Sequence, residues 1–490
     1  MSAWSAAALA PDVSVATFAS GLRTPRGLLV TPAGDFLALE RGALPEPCVS
    51  LLYDDDDDGK SSDDERISCI ASAPRLNHGL AMYGGYLFAS SDTKVYRWPW
   101  RERSILKQSE RVEVVTGIAF GADGSDLGAE SGHTTRTLAF DHSGRLFVSV
   151  GSRGNVDANS HRSRVRVFDG LALPTATSID FNSGMVWADG LRNEVGLALD
   201  ADGTLWGVEN GADNLVRADI GGDVHNDNPG EEVNRLDQPG KFYGYPNCWS
   251  EHTLAAPHGL GASTQWAWPS FMPGTTDAWC RDPAKVVPPA MVMTAHTAPL
   301  GIAFFGATDA HLPKGAIPCT NASVATPSGA FPCGWIGDAF VAQHGSWNRD
   351  PPVGYAIVRL PFAGGDSPTG EEAPVLWHGG EGAKWPSGLR PVDVRFDLRG
   401  RLAFTCDKTG LLVRLSYVPK GSMPLAPAPS AAAGLGTGTV VGIVVAATAG
   451  AGLVVTSVVI ASRAWRQKKR SGNGSFPASC PSSTELTARP

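Results

Sequence analysis

The chain has no C-x-x-C pair, and its Cys and His residues never fall at zinc-ligand spacing, so a zinc-stapled module is excluded. C-x-x-C-H is also missing, so these residues carry no motif for covalent haem attachment. Charge is sparse, at 18% of residues with a net charge of -8, and no basic face is available to neutralise phosphates; a nucleic-acid partner is not expected. Long amphipathic helices are scarce. The opening, MSAWSAAALAPDVSVATF, lacks a basic n-region and a full-length apolar h-region, so residues 1-12 read as an N-terminal segment without a clear signal peptide.

The 42% hydrophobic content can bury a large core, and 57 Gly with 36 Pro make turns frequent. Between Gly132 and Asn155 two short apolar runs, Leu138 to Phe140 and Leu146 to Val150, are broken by Asp141-His142-Ser143-Gly144, the pattern of a hairpin. The same unit recurs near Gly27, Gly79, Gly196, Gly301 and Asp393. Repeated sheets that cannot bury their faces alone stack into a ring, so the fold expected over residues 13-420 is an all-β, six-bladed β-propeller. Val13 to Phe18 is expected to complete the last blade beside Leu411 to Tyr417. Wider spacing implies insertions between about Gly240 and Pro299 and between Ala310 and Trp335, both expected to rim the active face.

Residues 421-439 are Pro-, Ala- and Gly-rich and read as a stalk. Val440 to Ala461 is uncharged and apolar, long enough for one C-terminal transmembrane helix across a hydrocarbon core of ~30 Å. Arg463, Arg466, Lys468, Lys469 and Arg470 follow it, placing the basic tail, 462-490, in the cytosol and the propeller in the extracellular or lumenal space. Cysteine usage fits that oxidising side. The sequence-local pairs are Cys48 with Cys69, Cys248 with Cys280, and Cys319 with Cys333, leaving Cys406 over, although spacing does not fix connectivity. Asn321-Ala-Ser323 is a glycosylation sequon, meaningful if that loop is extracellular.

Asp54, Asp56, Asp58, Gly59 and Glu65 match D-x-D-x-D-G-x5-E, a spacing that wraps oxygen ligands around Ca²⁺; a run of consecutive Asp also satisfies it as a solvated acidic loop. His133 and Arg136 stand just before a strand, where a β scaffold carries its chemistry.

GHTTRTLAF (132-140), ADGLRNEVGLALD (188-200), VENGADN (208-214), FYGYPNCW (242-249), AHTAPLGIAFF (295-305), QHGSWNRDPPVGY (343-355) and RPVDVRFD (390-397) follow one another in one order across nearly the whole expected ring. Together they resemble the soluble quinoprotein glucose/sorbosone dehydrogenase family, six-bladed propellers that use pyrroloquinoline quinone (PQQ) and Ca²⁺ to oxidise sugars and sugar-derived aldehydes or alcohols. The HGSWNR block makes the sorbosone-type branch the nearer relative.

The resemblance implies His133 as general base, suited by an unperturbed imidazole pKa near neutrality. It implies Arg192 and Asn193 at the quinone and Arg390 at a cofactor carboxylate, with Arg136 and Arg349 as further candidates. The carbonyls of Gly211 and Ala212 fall where the family ligates Ca²⁺. Trp347 could stack on the cofactor or pack in a blade, and His344 and His296 compete with His133 or shape the pocket. Glucose-type members carry a Lys in the strand equivalent to the HGSWNR block, an Arg where this chain has Val392, and Pro where it has Ala212. The function expected is PQQ- and Ca²⁺-dependent oxidation of a sugar or sugar aldehyde, with electrons passed to an external, unknown acceptor. A non-enzymatic propeller receptor is the alternative, and a Ca²⁺-dependent lactonase is a third reading that no Asn/Asp/Glu constellation favours.

Overall fold

The computed structural model describes residues 7–419, apart from 160, 320, 365, 379–384 and 386–387. Apolar and turn-forming segments alternate along this stretch and fold into six sheets of four or five strands, each a blade. The innermost strands are Pro25–Val30, Leu76–Tyr83, Leu138–Phe140, Glu194–Leu199, Pro299–Phe304 and Pro391–Phe396. Each contacts the next, and the sixth contacts the first, so the ring closes.

The recurring glycine of the hairpin unit has a physical cause. A Cβ at Gly27 would lie 1.9 Å from the carbonyl oxygen of His78, and one at Gly301 would lie 2.8 Å from that of Val392. Adjacent blades approach so closely at the channel that only a bare backbone fits. Thr137 and Asp393 take this place in the third and sixth blades and bond across instead. Thr137 Oγ1 donates to the carbonyl of Val195, and the N–H of Leu28 donates to Asp393 Oδ2 at 2.8 Å.

Closure follows the expected route, because Val13–Ala19 pairs antiparallel with Leu411–Tyr417, with Val13 opposite Tyr417. Within the segment expected to precede the ring, Ala7–Leu9 forms a strand on the edge of the fifth blade beside Ala373–His378. Apolar layers fill the spaces between blades, as where Leu29, Leu37 and Leu39 meet Leu80, Met82 and Leu87. The three disulfides join Cys48–Cys69, Cys248–Cys280 and Cys319–Cys333, and Cys406 is free and buried.

The first insertion holds the hairpin of Cys248–Ser250 and Gln265–Ala267 and the short helix Asp277–Cys280, and it packs Trp249, Trp266 and Trp268 against Ala212 and Leu215. The second insertion does not rim the face where the inner strands begin. It links the end of Pro299–Phe304 to Ala339–Gln343, and the N–H of Phe331 donates to Gly400, in a hairpin turn of the sixth blade, at the other end of the strands. Asn321 is exposed there. Among the described residues no helix is long and apolar enough to cross a membrane, and the stalk, the membrane segment and the tail, 421–490, lie outside the described residues.

Candidate active site

The inner strands of the third to sixth blades start at the same face, so the loops at that face converge on a cleft of about 210 Å³. His133 reaches it from the third blade, Arg192, Gly211, Asp213 and Glu231 from the fourth, His344, Trp347 and Asn348 from the fifth, and Arg390 from the approach to the sixth.

His133 is fixed by Ser152. Its ring Nδ1 lies 3.1 Å from the Ser152 carbonyl oxygen and 2.9 Å from Ser152 Oγ. A carbonyl only accepts, so Nδ1 carries the hydrogen and Nε2 keeps its lone pair. Burial, with the charges of Arg192, Arg162 and Arg136, pushes the imidazole pKa down to about 3, so it is neutral at ordinary pH.

Two arginines hold this loop from below. Arg136 donates to the carbonyls of His133 and Thr135, each at 2.8 Å, and to Asp92 O at 2.9 Å. Arg162 donates to the carbonyls of Gly151 at 2.9 Å and His133 at 3.1 Å. Both are fully buried. The structure therefore does not bring Arg136 to the cleft; its donors are spent on the main chain, and burial lowers its pKa to about 9.

Arg192 forms the floor. Nη1 donates to Gly211 O at 2.6 Å, and Nη2 donates to Asp213 Oδ2 and Asn155 Oδ1, each at 3.0 Å. Asn193 stands behind it, its Nδ2 3.5 Å from Asn210 Oδ1. Glu231 ties the neighbouring loops, accepting from the N–H of Gly211 at 2.7 Å and of Ala298 at 3.0 Å. Burial raises its pKa to about 8. The Ala298 bond secures a loop in which His296 and Ala298 both hold left-handed φ, 65° and 53°, costly for residues with a Cβ. His296 uses Nε2 to bond the carbonyl of His225. Ala212 is buried with Leu215 and Trp249.

Asp213 also joins blades, since Oδ1 accepts from Asn348 Nδ2 at 2.8 Å. On the opposite flank His344 Nε2 donates to Asp407 at 3.1 Å, and Arg26 Nη1 donates to the same carboxylate at 2.8 Å. These two partners hold Asp407 well below the usual carboxylate range despite its burial, and burial lowers His344. Arg390 spends Nε on His344 O at 2.9 Å and Nη2 on Gly345 O at 2.7 Å. Arg349 stands outside the cleft wall, with Nη2 on Asp227 at 2.7 Å and Nη1 on Ala295 O at 3.0 Å. Trp347 lies at the mouth, 69% exposed.

The acidic loop is elsewhere. Asp54 borders a separate hollow with Gly34, Asp35 and Leu398, at the end of the blade strands remote from the cleft. The carboxylates of Asp54, Asp56 and Asp58 lie within 4.8 Å of one another. Glu65 turns away from them and caps the loop, accepting from the N–H of Asp55 at 2.7 Å and of Ser62 at 3.1 Å.

The cleft thus combines a lone-pair imidazole, two cationic side chains, and carbonyl and carboxylate oxygens, which suits proton removal beside a bound anion. The TrAA12-like family model matches residues 7–417. The chain belongs to the TrAA12-like family. A pyrroloquinoline quinone-dependent pyranose dehydrogenase of Coprinopsis cinerea is 31% identical over 382 residues, 74% of this chain and 45% of that protein; the chain spans about half the length of this relative. A pyrroloquinoline quinone-dependent sugar dehydrogenase of Hypocrea jecorina is 30% identical over 413 residues, 80% of this chain and 85% of that protein. Among solved structures, the calcium structure of a Trichoderma reesei family AA12 enzyme has a TM-score of 0.69 at 29% identity, covering 84% of this chain and 97% of the other. The holo form of the pyranose dehydrogenase PQQ domain of Coprinopsis cinerea has a TM-score of 0.67 at 25% identity, covering 84% and 97%.

Sequence reasoning had not assigned roles to Asn155, Arg162, Asp213, Glu231, Asn348 and Asp407 in this TrAA12-like site. Asp213 lies in VENGADN and Asn348 in QHGSWNRDPPVGY, and both carry the polar types a cross-blade bond requires. Asn155, Arg162, Glu231 and Asp407 act through contacts remote in sequence, for which no local pattern exists.

Proposed function

We propose that the chain is a PQQ- and Ca²⁺-dependent dehydrogenase of sugars, with His133 as the base. The observation that carries this reading is the tautomer of His133, whose Nδ1–H is taken by Ser152 in a cleft that also holds Arg192 and Arg390. The names of the Coprinopsis and Hypocrea relatives support the cofactor and the substrate class.

The donor set fits both groups. Asn348 Oδ1 is buried without a partner, and Gly211 O and the Asp213 carboxylate line the same cleft, oxygens of the kind a hard cation takes. Arg192 and Arg390 supply the positive charge that cofactor carboxylates require. Val392, which stands where glucose-type members carry an Arg, is buried against Val195 and Leu300, so that position packs the channel instead of meeting a ligand. When bound, PQQ supplies a two-electron acceptor for hydride and Ca²⁺ makes it more electrophilic.

The chain's own residues do the rest. Nε2 of His133 takes the hydroxyl proton of the sugar, while Ser152 keeps the ring from turning. Arg192, locked by Asp213 and Asn155, holds its charge in place without reorganisation as negative charge develops. His344, oriented by Asp407, closes the opposite flank. In the same proposal residues 440–461 anchor this domain to a membrane and 462–490 face the cytosol, supported by the apolar run and its basic flank.

Titration of the full chain with PQQ tests this reading. Binding with Ca²⁺, loss of binding with a chelator, and dye reduction driven by aldoses are expected. An absence of PQQ binding would overturn it in favour of a non-enzymatic receptor.

A further inference from the structure

Among the described residues Trp347 is the only exposed tryptophan, 69% accessible, and it lines the mouth of the cleft. Among the described residues no ring contact, cation or hydrogen bond engages its indole, whereas the chain on both sides of it is tied down. Ser346 Oγ accepts from the N–H of Val353 at 3.0 Å, and Tyr355 donates its hydroxyl to the carbonyl of Ser346. Asn348 is bonded to Asp213, Arg349 to Asp227 and Ala295, and the N–H of Asp350 to Asn226 Oδ1 at 3.0 Å. Two glycines in left-handed conformation, Gly345 at φ 97° and Gly354 at φ 77°, let the loop press against Tyr355 and Thr297, where any Cβ would clash at 2.5 Å and 2.7 Å.

A rigid loop that holds a large apolar ring in water forgoes the free energy that burying such a side chain returns. The same rigidity means that a ligand on the ring orders little of the protein, which is how pre-organised aromatic anchors gain affinity. A chemistry that matches is the C–H face of a cyclic sugar, apolar on the ring and hydroxylated at the edge. The polar edge then faces His296 on the adjoining wall, as in sites with an apolar body and few placed polar groups.

We propose that Trp347 is a substrate-binding platform that selects the closed pyranose ring over open-chain aldehydes, and that it is not the cofactor's stacking partner. This rests on the sugar-dehydrogenase reading above, and it narrows that reading to the cyclic form of the substrate.

The test uses the full chain loaded with PQQ and Ca²⁺, as wild type, Trp347→Ala and Trp347→Phe. In Trp347→Ala, KM for glucose should rise at least about tenfold while kcat for glyceraldehyde, which has no ring face, and the affinity for PQQ stay within about twofold. Trp347→Phe should recover most of the loss. Calorimetric titration with methyl glucoside, whose C1 hydroxyl is blocked, should give binding to the wild type that Trp347→Ala loses. Unchanged glucose KM together with unchanged methyl glucoside binding would overturn the platform, and so would a large fall in PQQ affinity. If the wild type binds methyl glucoside through Trp347 but oxidises no sugar, the platform stands and the dehydrogenase reading fails.

Discussion

The backbone N–H of His133 donates to the carbonyl oxygen of Ser152 at 3.0 Å, and Nδ1 of the same residue bonds that oxygen at 3.1 Å. One acceptor thus fixes both the main chain and the tautomer, and Nε2 is left as the basic atom in the cleft. Replacement of His133 by Ala should lower kcat on the order of 10²–10⁴-fold, the range for loss of a general base. PQQ affinity should stay within a few-fold, because the cationic side chains are untouched. Stopped-flow turnover and a separate cofactor titration check the two halves.

The pH profile should reflect the depressed pKa of that imidazole. A base works when unprotonated, and here burial and three guanidinium groups hold the pKa at about 3, so the working form persists above that value and is lost as pH falls through it. The acid limb of kcat/KM attributable to His133 should therefore lie well below the ordinary histidine value of about 6.5. A limb near 6.5 that vanishes in His133→Gln would show that the cleft is more solvated than the structure indicates.

Arg192 and Asp213 form an ion pair with side chains only 6% and 15% exposed. Removal of one partner strands the other, so Arg192→Ala should cost about 3–5 kcal/mol and Asp213→Asn, which keeps a polar acceptor, less. Urea melts give the comparison. Both variants should also weaken PQQ binding, Arg192→Ala through lost charge and Asp213→Asn through loss of a fixed guanidinium.

Gly27 and Gly301 test the blade contacts. A methyl group at either would meet main-chain atoms of the next blade, His78 and Val392 respectively, and neither can swing aside. Gly301→Ala should destabilise by about 1–3 kcal/mol, the usual cost of overpacking, and Gly27→Ala by at least as much because its contact is shorter. Thermal melts check this; melts unchanged in both would mean the inner strands stand farther apart.

These glycines also show why the ring could be read from the sequence. A local hairpin pattern repeated at Gly27, Gly79, Thr137, Gly196, Gly301 and Asp393 marks each inner strand, and every one of those positions sits at a blade contact. Val13 to Phe18 closes the ring where expected, since it is an unpartnered strand at the far end of the chain. The lining of the cleft was legible only where residue and motif coincide, as with His133, Arg192, Gly211, His344, Trp347 and Arg390, whose roles there belong to the proposal. Arg136 and Arg349 were misplaced because a sequence shows that a guanidinium is present without showing what its donors meet. The second insertion lies at the face opposite to the one its sequence suggests, because its length is visible in the sequence and the end of the strand it leaves is not. Asp407 could not be recognised at all, as it gains meaning only beside Arg26 and His344.

Three buried carboxyls in the fourth blade, Glu194, Glu209 and Glu232, surround Asn234, whose Nδ2 is 3.4 Å from each. Burial raises all three, and in Glu209 the neighbouring carboxylates add to it. The folded state then binds more protons than the unfolded one above the ordinary glutamate range, so their contribution to stability falls as pH rises from there through the raised folded values. Glu232→Gln should flatten this decline, visible as a smaller drop in Tm between mildly acid and mildly alkaline buffers.

The most direct measurement is the absorbance of PQQ bound to the full chain with Ca²⁺, followed without oxygen after addition of an aldose. The wild type should bleach the quinone band in one turnover, and His133→Ala should bind the cofactor yet leave the band unchanged on that timescale. Bleaching at the wild-type rate by His133→Ala would contradict the assignment of the base, and a wild-type band that no sugar alters would contradict the enzyme itself.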